Sequence, residues 1–538
     1  MSAFSYQSRR VSDRGRLAER ARAIGVEGWI LWALVVVAAA IRIATLTNQS
    51  FWTDEALTGY ETRLPFGAML HTVTSVETTP PLYFVVIWVW AKLFGGGEVA
   101  LRSLSAIAGI AVVPIAYLSA RELFSRRAGL LTAAFIAVNP MMVWFSQEAR
   151  AYMLLTALTG ASFLWFLRAR RDPSRRNLSW WAVLSALALM THFFAGFGVA
   201  PEALWLLWSA RSRAGVAAVS VVGAAQLAML PFAVTAAAPS RGAGWIAASA
   251  PVNRIGTAVV EWGASTLYRR VTSGEGIIGG AVLGAIVLAL LLFGGDRRSR
   301  QGAAVAAVIA ATVIAVPLAL GALGIDYFLS RNELPAFVPV ATVLAGACVV
   351  PRARLPGAAL AAALLVLFCF ATVDVQTHPY LQRAAWRDVA RSLGPATVPR
   401  AILASNGTTA DPLKIYLPGV TWAQPRGLAV LVREIDVVGT KKRLRVQGAS
   451  GPATSAVALR DRVDAKQGAL PTGSSLPRSV APAGATLLAR FRVDNWIVAR
   501  FELAQTERIS IDGLRSIAHR FFRRTPAALL VFTQRSGR

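Results

Sequence analysis

Two cysteines and four histidines in 538 residues leave little material for disulfide or zinc chemistry. Both cysteines, Cys348 and Cys369, fall inside apolar runs, so a structural disulfide is not expected and the redox compartment stays open. Acids are scarce too: 28 Asp and Glu stand against 56 Lys and Arg, a formal charge of +28. That excess would suit a nucleic-acid binder, but the arginines cluster between apolar runs at regular intervals, which is the footprint of membrane topology. Short alternating apolar and polar segments, the mark of a transmembrane barrel, are missing.

What is present is apolar. Hydrophobic residues make up 55% of the chain, mean hydropathy is +0.51, and many runs approach the roughly 20 residues a helix needs to cross a bilayer. The expected fold class is a polytopic α-helical membrane protein with about eleven transmembrane helices and a C-terminal extracytoplasmic α/β domain. The spans are 29–47, 99–123, 128–145, 149–168, 179–198, 198–210, 214–233, 276–294, 302–323, 335–350 and 355–373. Residues 1–28 form a basic cytoplasmic N-terminus without a small-residue cleavage site, so the first run reads as an uncleaved signal anchor.

The stretch PPLYFVVIWVWAKLFGG, from Pro80, decides the topology. Its apolar part is about 15 residues, too short to cross. Pro80 and Pro81 start a helix, Lys92 snorkels, and Trp88 and Trp90 anchor it along the interface. If it does not cross, Arg126/Arg127, Arg168/Arg170/Arg171, Arg211/Arg213, Arg297/Arg298/Arg300 and Arg352/Arg354 all lie on the cytoplasmic side. If it crosses, all five clusters move outside, against the positive-inside rule. The prediction is a multi-pass protein of the cytoplasmic (inner) membrane, N-terminus inside and C-terminal domain outside.

This topology leaves one face poor in basic clusters but holding the unusual polar groups: Asp54 and Glu55, SQEARAY (146–152), THFF (191–194), the 234–275 loop and DYFLSRNELP (326–335). Ionisable groups at a membrane are costly and point to function. The three regions are thus 1–28, a transmembrane catalytic domain 29–373 with an outer loop 48–98, and the α/β domain 374–538. In the last, WRDVARSL, DPLKIYL and Leu514–Phe522 read as helices, and AILAS, LAVLVREIDVV, ATLLARFRV, NWIVARFEL and ALLVFTQ as strands, interrupted by a Gly/Ser/Pro/Ala-rich loop near 447–485. It carries no nucleotide-binding glycine loop, zinc-ligand spacing or nucleophile elbow. Its basic balance suits headgroups or an anionic envelope polymer, and equally plain solvated charge.

Each polar residue also has a plain reading. Asp54 and Glu55 fit a helix N-terminus, with Thr53 or Asp54 as cap; Glu148 fits a first-turn acid opening the fourth span. Arg150 fits a snorkelling anchor, and His192 an interface residue.

The order WTDEALTGY, TTPPLYFVVIWVWAKLFG, ALRSLSAIAGIAVVPIAYLSARELF, NPMMVWFSQEARAYMLL, THFFAG and DYFLSRNELPAF resembles the GT-C glycosyltransferases over the first two-thirds of the chain. Nearest are the bacterial relatives of protein O-mannosyltransferases and of lipid A aminoarabinose or galacturonic acid transferases. The resemblance implies an inverting glycosyltransferase that moves a sugar from a polyprenyl-phosphate carrier to an acceptor hydroxyl of an envelope glycan, lipid or protein. It implies no nucleic-acid partner. By match to the family strings, Asp54 is the general base and Glu55 its partner, with Glu148 a second acid. Gln147, Arg150, Tyr152, His192, Tyr327 and Arg331 line the substrate site. Asp54 and Glu148 are candidate ligands of a divalent cation, magnesium, manganese or calcium; no other cofactor is implied. The family arginine is usually followed by an aromatic; here Asn332 follows Arg331, and Tyr327 can supply the ring. The C-terminal domain has no counterpart in the match. A transporter or flippase would show internal repeats and mid-membrane polar residues, which are not seen; a non-catalytic assembly protein is the third alternative, opposed by the intact acid pair.

Overall fold

The computed structural model describes residues 25–209, 212–236, 246, 250–265, 270–405, 411–417, 419–422, 429–440, 482, 484–493, 496–521 and 529–534. Most of the basic N-terminus, Arg211, and most of the 447–485 loop lie outside the described residues. In chain order the helices are α1 (Val26–Ala44), α2 (Thr53–Glu61), α3 (Phe66–Val76), α4 (Leu82–Phe94), α5 (Glu98–Leu123), α6 (Arg126–Val138), α7 (Pro140–Ser146), α8 (Tyr152–Arg171), α9 (Arg175–Thr191), α10 (Ala195–Ser209), α11 (Arg213–Ala236), α12 (Pro251–Ala264), α13 (Ser273–Ala289), α14 (Arg297–Ala322), α15 (Phe337–Cys348), α16 (Arg354–Thr377), α17 (Trp386–Leu393), α18 (Leu413–Tyr416) and α19 (Ile511–Phe521). Strands β1 (Arg400–Ser405), β2 (Val420–Trp422), β3 (Ala429–Thr440), β4 (Ala485–Val493), β5 (Trp496–Ser510) and β6 (Leu529–Gln534) complete the chain.

Contacts divide it into two compact units: Met1–Leu46 with Leu64–Leu381, and Thr47–Arg63 with Gln382–Arg538. The chain passes between them at 381/382 rather than at the expected 373/374. The acidic segment, expected within the membrane domain, groups with the C-terminal part because Arg383 and Arg387 hydrogen-bond it.

In the first unit, seven helices among the described residues are long and apolar enough to cross a membrane: α1, α5, α8, α11, α13 with its π-turn extension to Gly294, α14 and α16. The protein is therefore a multi-pass membrane protein, with an eighth crossing if α6 and α7 form one span. The expected spans 179–198, 198–210 and 335–350 stand as shorter helices, α9, α10 and Leu334–Cys348. The stretch after Pro80 is α4, 13 residues long, which falls short of a crossing.

The run 128–145, expected as one continuous span, is broken. α6 and α7 meet at a 57° bend. Pro140 has no N–H to give the carbonyl of Ile136, and Asn139 caps the new helix through its side-chain oxygen, accepting from Met141 N and Met142 N. The fully buried Arg42 of α1 fills the gap. Its guanidinium donates to Ile136 O at 2.9 Å, Ala137 O at 2.8 Å and Ser146 Oγ at 3.0 Å. Gly109 of α5 makes room for this: a Cβ there would lie 2.0 Å from Ser146 Oγ and 3.2 Å from Arg42 Nε.

The second unit is built on a six-stranded sheet of order β2-β6-β1-β3-β5-β4. β1 and β3 run parallel, and the other neighbours are antiparallel. Side chains of alternate parity feed opposite faces. Ala401 and Leu403 pack with α19, while Ile402 and Ala404 pack with α17 and α18. A strand buried on both sides explains why AILAS reads as an unbroken apolar run.

Replacing Arg42 with Met should strand the two buried carbonyls without this donor, at roughly 1–3 kcal/mol each. Thermal unfolding of the purified protein in detergent should show a clear fall in melting temperature, and Gly109→Val should lower it as well.

Candidate functional site

The bend between α6 and α7 carries the chain into the turn 147–151, and the polar residues gather around it. α8 begins at Tyr152 with Ala151 as its cap. Glu148 is thus not a first-turn helix acid; it is buried in the turn before the helix. Gln147 ties the turn down: its Nε2 donates to Arg42 O at 3.2 Å and to Thr45 Oγ1, and its Oε1 accepts from Gln376 Nε2 of α16 at 3.0 Å. This amide links α1 to α16.

Arg150 is held by an acid that sequence reasoning passed over. Its two terminal nitrogens donate to the two oxygens of Glu77 at 2.8 and 2.9 Å, a bidentate pair with both side chains nearly buried. Phe84 lies under the guanidinium at 5.6 Å. Tyr152 packs on Phe145 at 5.0 Å and faces the His192 ring at 6.1 Å. His192 caps the C-terminus of α9 and is buried. Its Nδ1 accepts from the backbone N–H of Phe194 at 3.2 Å, which assigns the proton of the neutral ring to Nε2.

The charges of Arg150 and Arg331 both act on His192, and Arg331 also acts on Glu261. The loop that carries Arg331 is held by α12. Arg254 pairs bidentately with Asp326 at 2.5 and 2.6 Å, which keeps that carboxyl below its ordinary range. Ser330 Oγ donates to Glu261, and Trp262 Nε1 donates to Ser330 O at 3.1 Å. Tyr327 is half-buried, its carbonyl accepting from Asn332 Nδ2 at 2.8 Å. So Asn332, in place of an aromatic, braces the loop. Burial raises Glu261 to about 7 against the pull of Ser330 and Arg331. Glu333, 1% exposed, has no hydrogen-bond partner on either oxygen among the described residues, and burial raises it to about 9.

Arg150, Tyr152, His192 and Arg331 therefore come together in the first unit, with Glu148 two residues from Arg150. Glu77 and Glu261 join the same polar region, Glu333 is buried two residues beyond Arg331, and none was singled out from the sequence. For Glu77 a signal existed, an acid directly ahead of TTPP.

Asp54 and Glu55 lie in the second unit, in the first turn of α2. Glu55 accepts from Trp52 N at 3.4 Å, closing a capping box, and from Arg383 Nη1 at 3.1 Å. Asp54 is half-buried and its backbone carbonyl accepts from Thr58 Oγ1 at 3.1 Å. Among the described residues, no three His, Cys, Asp or Glu side chains gather as a metal-ligand set. Trp88 and Trp90, expected as interface anchors, give their indole N–H groups to Leu64 O and Ala100 O, both at 2.9 Å.

The architecture is similar to that of a membrane glycosyltransferase. ArnT from Cupriavidus metallidurans, in a crystal structure bound to undecaprenyl phosphate, matches with a TM-score of 0.52 at 14% identity, over 88% of this chain and 98% of that one. The two chains thus share a fold. Residues 78–236 match the family described as dolichyl-phosphate-mannose-protein mannosyltransferase. The family match thus covers the stretch from the residues before α4 to the end of α11. An uncharacterised protein of Aquifex aeolicus is 27% identical over 158 residues, which span 28% of this chain and only 30% of that relative's length.

A carboxyl held protonated by burial makes stability depend on pH. The unfolded acid ionises near 4.5 while folded Glu333 keeps its proton to about 9. The native state thus binds the extra proton across that window, and stability falls as pH rises through it. Glu333→Gln removes this term. The difference in melting temperature between variant and wild type should move in the variant's favour between pH 5 and pH 9, as read by scanning fluorimetry.

Proposed function

We propose that this protein is an inverting glycosyltransferase that takes a sugar from a polyprenyl-phosphate carrier at the outer face of the cytoplasmic membrane and passes it to an acceptor hydroxyl of an envelope glycan, lipid or protein. The observation that carries the reading is the placing of Arg331 and the Nε2–H of His192 within electrostatic reach of each other beside the Arg150–Glu77 pair. Such a set suits a phosphate monoester leaving group. Planar guanidinium binds phosphate oxygens two at a time, and a neutral imidazole adds a donor without adding charge. ArnT, which shares the fold, has been captured with undecaprenyl phosphate, and the lipid-facing helices here offer the apolar flank such a carrier needs.

In the proposed reaction the acceptor oxygen attacks the anomeric carbon. The bond to phosphate breaks with its electron pair leaving on the phosphate, and a base removes the hydroxyl proton. Asp54 is assigned as that base and Glu55 as the residue that orients it; Glu148 is the second acid. Arg331 and His192 meet the departing phosphate, where preorganised positive charge lowers the barrier. The topology that goes with this has eleven crossings, N-terminus inside and the α/β unit outside.

General-base catalysis contributes about 10²–10⁴ in rate. Asp54→Asn should therefore cut product by about 100-fold or more while leaving membrane insertion and undecaprenyl phosphate binding intact. Arg331→Met should instead weaken undecaprenyl phosphate binding. The measurements are mass spectrometry of envelope glycans in a deletion strain complemented with each variant, and binding of undecaprenyl phosphate to the purified proteins. Wild-type product from Asp54→Asn would remove Asp54 as base.

A further inference from the structure

The sequence assigned no role to the residues that follow α16, yet these fix the acidic segment. Within the second unit, the Arg387 guanidinium donates to Thr47 O at 3.0 and 3.1 Å and to Gln49 O at 2.9 Å, and its backbone N–H donates to Ser50 Oγ at 3.1 Å. Arg383 N donates to the Gln49 side chain at 3.3 Å. Phe51 N donates to Tyr416 Oη at 2.7 Å, with the two rings 6.2 Å apart. Thr47, Gln49, Ser50 and Phe51, leading into α2, are thus held from the C-terminal part of the chain.

The last contact reaches the acid pair itself. Arg383 Nη1 meets Glu55 Oε2 at 3.1 Å, with side-chain exposures of 7% and 0%. The Arg383 guanidinium also lies over the Trp52 ring at 5.2 Å. Glu55 Oε2 is the same oxygen that accepts from the Trp52 backbone N–H. One guanidinium therefore holds the cap residue of α2 by its ring and the third residue of the helix by its carboxylate. Asp54 stands between them.

We infer that Arg383 is a positioning residue for Asp54: the C-terminal unit aims the proposed base by clamping the first turn of α2 through Glu55 and Trp52. The inference rests on the assignment of Asp54 as base and gives the C-terminal domain a part in the reaction. A planar guanidinium makes both contacts at once, whereas a lysine keeps the charge but loses the flat stack on Trp52.

The test uses the full-length protein with Arg383→Gln, Arg383→Lys and Asp54→Asn. In Arg383→Gln, amide hydrogen exchange over 51–60 should rise at least tenfold while α5 and strands β3 and β5 exchange as in wild type. Glycan product in the complemented strain should fall at least tenfold, with undecaprenyl phosphate binding unchanged. Arg383→Lys should recover part of both protection and product. Wild-type exchange at 51–60 in Arg383→Gln would overturn the clamp. So would loss of protection throughout the sheet, or a failure of lysine to recover either readout, since these mark a residue needed only for folding. Because the exchange readout does not depend on turnover, an active Asp54→Asn would remove the base assignment and leave the clamp judged by exchange alone.

Discussion

A bilayer supplies no water to a backbone group left without a partner, so any break in a buried helix must be answered from within the protein. The break at Asn139 and Pro140 is answered by Arg42. A guanidinium is well suited to this: its donors fan out in one plane, and three of its contacts go to the two exposed carbonyls of α6 and to Ser146 at the far end of α7. The buried cation thus links both sides of the break. Without it the carbonyls of Ile136 and Ala137 would lose the side-chain donor that joins them to Ser146.

That turn is where positive and negative charge are balanced. Arg150 is neutralised by Glu77, and Arg254 by Asp326, while burial keeps Glu333 protonated near neutral pH and raises Glu261 to about 7. A protonated acid adds little negative charge, so Arg331 faces weaker opposition than a count of nearby carboxyls suggests. Pairing two of the arginines with carboxylates avoids leaving bare charges in a buried region.

Periodicity made most elements readable. Long apolar runs mark α5, α14 and α16, and the double-sided strand β1 stands where AILAS reads as apolar throughout. The 128–145 run was read as one continuous helix because hydropathy does not register the missing N–H of Pro140; the structure bends it by 57° there. Ion-pair partners were least legible. Glu77 and Arg150 are 73 residues apart, and Glu55 and Arg383 are 328 apart. No local pattern couples such positions; only the folded chain does. Glu148 shows the opposite case, since its string was visible but the plain reading, a first-turn acid, needed the helix start at Tyr152 to be set aside.

The grouping of Thr47–Arg63 with the C-terminal unit follows from backbone accounting. The stretch between α1 and α2 is too short and too polar to form a regular element, so the carbonyls of Thr47 and Gln49 and the N–H of Phe51 need partners from elsewhere. Arg387 and Tyr416 provide them. A segment whose main chain is satisfied in this way gains its conformation from the domain that supplies the donors. The conformation of the acid pair therefore depends on the folding of the α/β unit that supplies Arg383 and Arg387.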